Sequence, residues 1–114
     1  MTDYNLKERT SVFGENIIRF CVSLPKTVIT TTMISQFIKS GTSIGANYAE
    51  ADDAESKNDF RHKIGICKKE SSETKFFLRM FKSAVPDKVN KIEELLSEAT
   101  ELNLIFNAIF KKVK

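Results

Sequence analysis

The sequence has few of the residues that mark a metal centre, a disulfide framework or a membrane span. It contains two cysteines, Cys21 and Cys67, which form no CxxC pair, and a single histidine, His62. This composition argues against a zinc site and against a disulfide-rich fold. No apolar run approaches the ~20 residues that a membrane helix needs, and the polar N-terminal residues are unlike a signal peptide. We therefore expect a reduced, cytoplasmic, soluble protein with no membrane partner and no metal.

Proline and glycine are also scarce, with two and four copies in 114 residues, and tryptophan is absent. Pro25 and Pro86 each follow a segment with apolar periodicity, as expected beyond the end of a helix. Ser56 and Asp59, in the stretch S-K-N-D-F, have the spacing of a capping box at a helix start. These signals divide the chain into four periodic blocks, at about residues 5–23, 27–53, 57–84 and 88–112.

Apolar residues, by contrast, make up 41% of the chain and include nine phenylalanines, a globular composition. Each block carries an apolar stripe at helical spacing. The third block is the clearest, with steps of four and three through Phe60, Ile64, Cys67, Ser71, Thr74, Leu78 and Phe81. Helices with one apolar stripe each and short connections bury those stripes against one another. The sequence therefore predicts an all-α, antiparallel up-down four-helix bundle, as one domain over residues 1–114.

Small residues are concentrated in the second block, in the stretch S-G-T-S-I-G-A-N-Y-A-E-A. Its spacing fits neither a Walker phosphate loop nor a dinucleotide fingerprint. Gly41, Gly45 and Ala49 instead lie at i, i+4 and i+8, which is a smooth helix ridge for close packing. Each internal glycine costs a helix about 1 kcal/mol relative to alanine, so two of them indicate a steric demand. We expect Asn47 and Glu50, beside the ridge, to form interhelical hydrogen bonds that fix register.

Three blocks of this sequence, S-I-G-A-N-Y-A-E-A, S-K-N-D-F and K-E-S-S-E-T-K-F-F-L-R, resemble a bacterial four-helix-bundle family. Its members were first noticed as products of intervening sequences in large-subunit ribosomal RNA genes, and the accessory variability protein of diversity-generating retroelements is similar to them. The resemblance implies a homopentamer. It also implies, from the retroelement relative, binding to nucleic acid and to a reverse transcriptase through basic outer surfaces. The chain departs from many members at Gly45 and Ala51, where they carry proline and glycine.

The third block is apolar over more than one stripe, because Ile66, Phe77 and Met80 lie off the main seam and Phe76 lies further round. A helix of a lone small bundle needs only one apolar face, so the extra face predicts self-association. The alternative is a wide core stripe with one exposed phenylalanine. The residues expected at helix-packing or subunit interfaces are Gly41, Gly45, Asn47, Ala49, Glu50, Ile66, Phe76 and Phe77.

Basic residues form a second pattern on the third block. At about 100° per residue, six of them fall within roughly 60° of one another: Lys57, Arg61, Lys68, Lys75, Arg79 and Lys82. This basic stripe contains no acid, whereas a face that only improves solubility mixes both signs. It predicts contacts with the backbone of RNA or DNA. No aromatic residue lies among these cations in the block, which argues against base stacking and sequence-specific reading. The alternative is a solvated face.

Enzymatic patterns are weak. His62 follows Asp59 at the spacing of one metal half-site, but a di-iron bundle needs two. Cys67 lies on the core seam, where a thiol is inert. We predict no catalytic residue, metal or cofactor. The expected function is that of an oligomeric, non-enzymatic accessory protein that binds nucleic acid without sequence specificity, alongside a partner enzyme such as a reverse transcriptase. The alternative is a structural or protein-interaction scaffold with no nucleic-acid role.

Overall fold

The computed structural model describes residues 5–114 as four α-helices. The helices are α1 (Leu6–Ser23), α2 (Val28–Asp52), α3 (Lys57–Ala84) and α4 (Val89–Lys112), with a 3-10 turn at Pro86–Lys88 before α4. The part of the chain described contains no strand. Each helix begins and ends within one residue of its predicted block. The predicted all-α four-helix bundle is confirmed.

The capping box predicted at the start of α3 is only half formed, and a second capping box, at the start of α2, was not predicted. Ser56 Oγ accepts a hydrogen bond from the Asp59 N–H at 3.0 Å, but the return bond of the predicted capping box is not formed. A complete capping box stands at the start of α2. There Thr27 Oγ1 accepts from the Thr30 N–H at 3.1 Å, and Thr30 Oγ1 accepts from the Thr27 N–H at 2.9 Å. Threonine replaces the usual glutamate or glutamine at this third position, so the sequence pattern does not show it.

Consecutive helices are neighbours and run antiparallel, and α4 closes the bundle against α1 over a smaller contact. The closing contact includes ion pairs. The Arg9 guanidinium donates to the Glu98 carboxylate at 2.8 and 3.1 Å and to Glu101 at 3.0 Å, and these bonds raise the pKa of Arg9. The bundle measures 44 × 23 × 20 Å. None of the helices in residues 5–114 combines the length and apolarity needed to cross a membrane.

The glycines of α2 face α1. A Cβ on Gly41 would lie 2.9 Å from Ile17 Cγ1, and a Cβ on Gly45 would lie 3.3 Å from the Thr10 carbonyl oxygen. Both distances are shorter than ordinary contacts, so the two helices approach as closely as they do because these side chains are missing. Ala49, the third residue of the ridge, is half-buried. The small-residue stretch is therefore a packing surface inside a helix and not a phosphate loop.

The hydrogen bonds between helices differ from those predicted. Asn47 Nδ2 donates to the Ser43 carbonyl one turn back in α2, at 2.9 Å, so the predicted interhelical role of Asn47 is wrong. Glu50 does bridge two helices, because its Oε1 lies 2.6 Å from Lys63 Nζ on α3. This carboxylate raises the pKa of Lys63.

The amide that joins two helices in the interior is Asn103, on α4. Only 8% of this residue is exposed. Its Nδ2 donates to Ser71 Oγ at 2.8 Å, to Ser72 Oγ at 3.2 Å and to the Lys68 carbonyl at 3.1 Å, all on α3. A buried polar side chain is tolerated only where its partners are in place, so this network fixes how α4 sits along α3.

Candidate nucleic-acid interface

The basic stripe lies on the flank of α3 that borders α4. Four members of the stripe are half-buried, namely Arg61, Lys68, Lys75 and Lys82. Lys57 and Arg79 are exposed. Three of the six cations, Arg61, Lys68 and Lys82, contact residues of α4. The stripe therefore borders the groove between α3 and α4 and does not lie on the outermost face of α3.

Phe110 of α4 lies within the stripe, near its start. The guanidinium carbon of Arg61 is 3.7 Å from the centroid of the Phe110 ring, and Lys68 Nζ is 4.4 Å from it. The expectation that no aromatic side chain accompanies these cations is therefore wrong. The ring reaches this position because Gly65 has no side chain: a Cβ there would lie 3.1 Å from Phe110 Cε1. Stacking of this kind orients the cations, since an aromatic face attracts positive charge.

Arg61 also ends α4. Its Nε donates to the carbonyl oxygens of Phe110, at 3.3 Å, and of Val113. The last carbonyls of a helix lack partners within the helix, and a cation is favourable beside them. Arg61 thus has a structural role in holding the end of α4 against the start of α3. The charge of the guanidinium is retained, and its two terminal nitrogens are not used by these bonds.

One acid enters the stripe from the neighbouring helix. Lys82 Nζ lies 2.8 Å from Glu93 Oε2 of α4. The absence of acids on α3 itself therefore does not leave every cation unpaired. Lys75 and Arg79 form no ion pair within residues 5–114. Lys57, which is exposed, also forms no ion pair within residues 5–114, so these three residues are the part of the stripe that can contact a polyanion without giving up an internal partner.

The second predicted surface, for self-association, also divides into two parts. Phe76 is 56% exposed. Phe77 is half-buried, and its ring lies edge-on to Phe37 of the core at 6.4 Å between centroids. Ile66 and Met80, also on α3, are half-buried. Phe76 is therefore the exposed member of the surface, whereas Phe77 also belongs to the rim of the core.

Metal-ligating side chains form no cluster in residues 5–114. No group of three or more histidine, cysteine, aspartate or glutamate side chains lies close enough together there to hold a metal ion. Cys67 is buried and its thiol faces the Ile44 carbonyl at 3.5 Å. Burial raises the pKa of Cys67 to about 12 and that of Cys21 to about 11. Neither thiol is a nucleophile at neutral pH.

A shallow cavity of about 400 Å³ opens where α3 begins and α4 ends. It lies at one end of the basic stripe and shares Arg61 and Phe110 with it. Its lining consists of Asn58, Arg61, His62, Gly65, Ile66, Lys69 and Phe110. Sequence spacing could have placed Asn58, His62 and Lys69 on one helix face. It could not show that Phe110, far along the chain, forms one side of the same cavity.

Comparison with known proteins places this fold in a family. The family model for the 23S rRNA-intervening sequence protein matches residues 2–108. Among solved structures, the chain is similar to a protein of unknown function from the S23 ribosomal protein family of Bacteroides thetaiotaomicron. The two chains are 30% identical, the match covers 93% of this chain and 98% of that one, and the TM-score is 0.82. No curated protein matches the sequence. The chain therefore belongs to the 23S rRNA-intervening sequence protein family.

Proposed function

We propose that this protein is a non-enzymatic accessory protein that binds the backbone of RNA or DNA without reading its sequence. The observation that carries the proposal is the charge of the α3 flank. Of its six cations, Lys82 pairs with Glu93, and none of the other five forms an ion pair within residues 5–114. Cations without internal partners keep their full attraction for phosphates, because no carboxylate has to be displaced.

The length of the stripe suits a backbone ligand. From Arg61 to Lys82 the helix rises by about 30 Å, which spans several successive phosphates of an extended strand or a duplex. Each phosphate neutralised releases condensed counterions, and this release supplies the binding free energy. Phosphate contacts of this kind position a protein on a nucleic acid and carry no sequence information.

Self-assembly belongs to the same proposal. A single stripe of a few cations binds weakly, whereas several stripes on one particle act together through effective concentration. We propose a homo-oligomer, with five subunits as the family resemblance implies, in which the exposed Phe76 lies at a subunit contact. Such a particle would serve a partner enzyme that handles RNA or DNA, of which a reverse transcriptase is the case that the resemblance suggests.

A second function, that of a protein-interaction scaffold, is favoured by a different observation. Three cations of the stripe form contacts that hold α3 against α4. Arg61 donates hydrogen bonds to the end of α4, Lys68 lies over the Phe110 ring, and Lys82 pairs with Glu93. If these contacts are the reason for the stripe, nucleic acid has no part in it. Oligomerisation would then be the function of the exposed apolar residues alone.

Charge reversal at Lys75 and Arg79 separates the two functions. Both side chains lie in the stripe without an internal ion pair, so Lys75→Glu/Arg79→Glu leaves the bonds between α3 and α4 intact. The matched control is Arg19→Glu/Lys39→Glu, which reverses two exposed cations on α1 and α2. Binding to a single-stranded RNA and to a duplex DNA is followed by fluorescence anisotropy over a range of salt concentrations, and the helicity and solution mass of every variant are measured.

We expect wild type and control to bind both ligands, with affinity falling steeply as salt rises. The stripe variant should lose binding, and any residual binding should have a salt slope smaller by about 0.7–0.9 per lost contact. Equal binding by both double variants would overturn the proposal. If wild type does not bind either ligand even at about 50 mM salt, where such contacts are strongest, the scaffold function is the better account.

A further inference from the structure

The cavity at the start of α3 differs from the rest of the stripe in the number of donors that converge on it. Asn58, His62 and Lys69 lie on the outer face of α3, and Arg61 borders them next to the Phe110 ring. Its volume of about 400 Å³ falls within the range of small-ligand sites, about 300–1,000 Å³. No carboxylate lines it.

Arg61 is held in place before any ligand arrives. Its Nε bonds to the Phe110 and Val113 carbonyls fix one edge of the guanidinium, and the Phe110 ring supports its face. Within residues 5–114, its two terminal nitrogens make no hydrogen bond. An oriented guanidinium with free N–H groups is suited to the oxygens of a phosphate, which it contacts at two points.

The other polar groups of the cavity add donors of the same kind. Lys69 is exposed and forms no ion pair in the described part of the chain. The Asn58 amide and the His62 imidazole each carry N–H groups that can donate. A lining of donors and cations without a carboxylate selects an anion with several oxygens.

We propose that this cavity binds a phosphate group, and that the phosphate is the terminal one of a nucleic-acid strand lying along the stripe. A terminal phosphate has one more non-bridging oxygen than a phosphodiester, and the cavity offers donors from four side chains where the remainder of the stripe offers single cations. Its position at the end of the stripe suits the end of a strand. The strand as carrier of the phosphate rests on the proposed function, whereas phosphate binding by the cavity does not.

The single histidine of the sequence makes the cavity directly observable. Inorganic phosphate is titrated into the full-length protein at fixed pH, with sodium chloride adjusted to hold ionic strength constant, and the His62 imidazole resonance is followed by NMR. We expect a saturable shift with phosphate and none with chloride. Lys69→Gln should weaken phosphate binding about tenfold, since a charge-assisted bond is lost. Lys39→Gln, which removes an exposed cation of α2 outside both the cavity lining and the basic stripe, should leave the shift unchanged.

The carrier is tested with one single-stranded RNA prepared with a 5′-phosphate, a 3′-phosphate or hydroxyl ends. Wild type should bind one phosphorylated form about tenfold more tightly than the hydroxyl form. Lys69→Gln should bind all three equally. Lys57→Gln, which removes a cation of the stripe, should bind all three more weakly and keep the preference.

The possible results separate the cavity from the stripe. Absence of a phosphate-dependent shift at His62 overturns the site, whatever the RNA binding shows. A shift without preference for any phosphorylated end overturns the strand-end assignment and makes the ligand a free phosphate or a mononucleotide. A shift with no RNA binding of any kind overturns the proposed function and the strand-end assignment together, and leaves phosphate binding by the cavity standing.

Discussion

Ile17 of α1 lies directly over Gly41 of α2, so closely that a Cβ on Gly41 would come within 2.9 Å of Ile17 Cγ1 and 3.0 Å of Ile17 Cγ2. Ile17 is fully buried, so it can make room for a larger side chain at Gly41 only by displacing its neighbours in the close-packed core. The two glycines of α2 therefore set the distance between α1 and α2.

Gly41→Ala should lower the free energy of unfolding by up to about 2 kcal/mol, because overpacking usually costs about 1–3 kcal/mol. The cost should outweigh the gain of up to about 1 kcal/mol that alanine brings to a helix interior. Gly14→Ala is the matched control, because its Cβ would have its nearest neighbour at 3.7 Å, an ordinary contact, and it should be neutral or stabilising. Urea unfolding of both variants gives the comparison. Equal stability of the two would show that the contact with Ile17 relaxes freely.

Asn103→Ala should lower the free energy of unfolding by about 1–3 kcal/mol, because it removes the amide that connects α4 to the Ser71 hydroxyl and the Lys68 carbonyl of α3, and Ser71 remains buried. Asn47→Ala removes an amide that bonds only to its own helix and should change stability by less than about 0.5 kcal/mol. Thermal and urea unfolding test the pair. A larger loss for the Asn47 variant would restore the interhelical role that the structure does not give it.

The two buried thiols should make the protein less stable in alkaline solution. In the unfolded chain they ionise from about pH 8.5, whereas burial raises the pKa of Cys21 to about 11 and that of Cys67 to about 12 in the folded chain. Above pH 8.5 the folded state therefore binds more protons than the unfolded state, and its stability falls as pH rises. The slope should approach about 1.4 kcal/mol per pH unit for each thiol.

The control for this pH dependence is Cys21→Ala/Cys67→Ala. This variant should be less stable than wild type at pH 7, because it leaves cavities, but it should lose less stability between pH 8 and pH 10. Every other ionisable group is common to the two proteins, so the difference between the two curves isolates the thiols. Parallel curves would mean that the thiols are accessible to solvent.

Phe76→Glu and Phe77→Glu should act differently, although the residues are adjacent. Phe76 is exposed, so its substitution should leave the helicity and the melting temperature of the subunit unchanged while lowering the solution mass measured by light scattering. Phe77 packs on Phe37 at the rim of the core, so Phe77→Glu should destabilise the subunit itself. A wild-type mass of 13 kDa at micromolar concentration would contradict the proposed assembly, and an unchanged mass for Phe76→Glu would place the contact elsewhere.

Periodicity alone gave the helices and the core of α3. Its main seam, from Ile64 through Cys67 and Leu78 to Phe81, is buried as its spacing predicts. This success has a simple physical reason, since residues three and four apart share one face of a helix whatever it packs against. The glycine ridge was predictable for the same reason, because its geometry is local to α2.

Features that depend on the register between helices were beyond sequence reasoning. Phe110 reaches Arg61 across 49 positions of the chain, and Glu93 meets Lys82 only because α4 runs antiparallel to α3 at a particular offset. Asn47 and Asn103 are equally polar in sequence, and only the packing decides which of them faces a neighbouring helix. Spacing could place the six cations of the basic stripe on one arc of α3, but it could not show the residues of α4 that lie beside them.

The order in which the helices pack also bears on how fast the chain folds. Each helix rests mainly against the helix next to it in sequence, and the closing contact between the first and last helices is the smallest. Native contacts are therefore mostly short in sequence separation, which is the low contact order typical of bundles that fold in about microseconds to milliseconds. Bringing distant segments together is the slow step in the folding of many β-proteins. In this chain only the contact between α1 and α4, which includes the ion pair of Arg9 with Glu98, requires it. The contact between α1 and α4 should therefore be the last part of the bundle to form and the first to open.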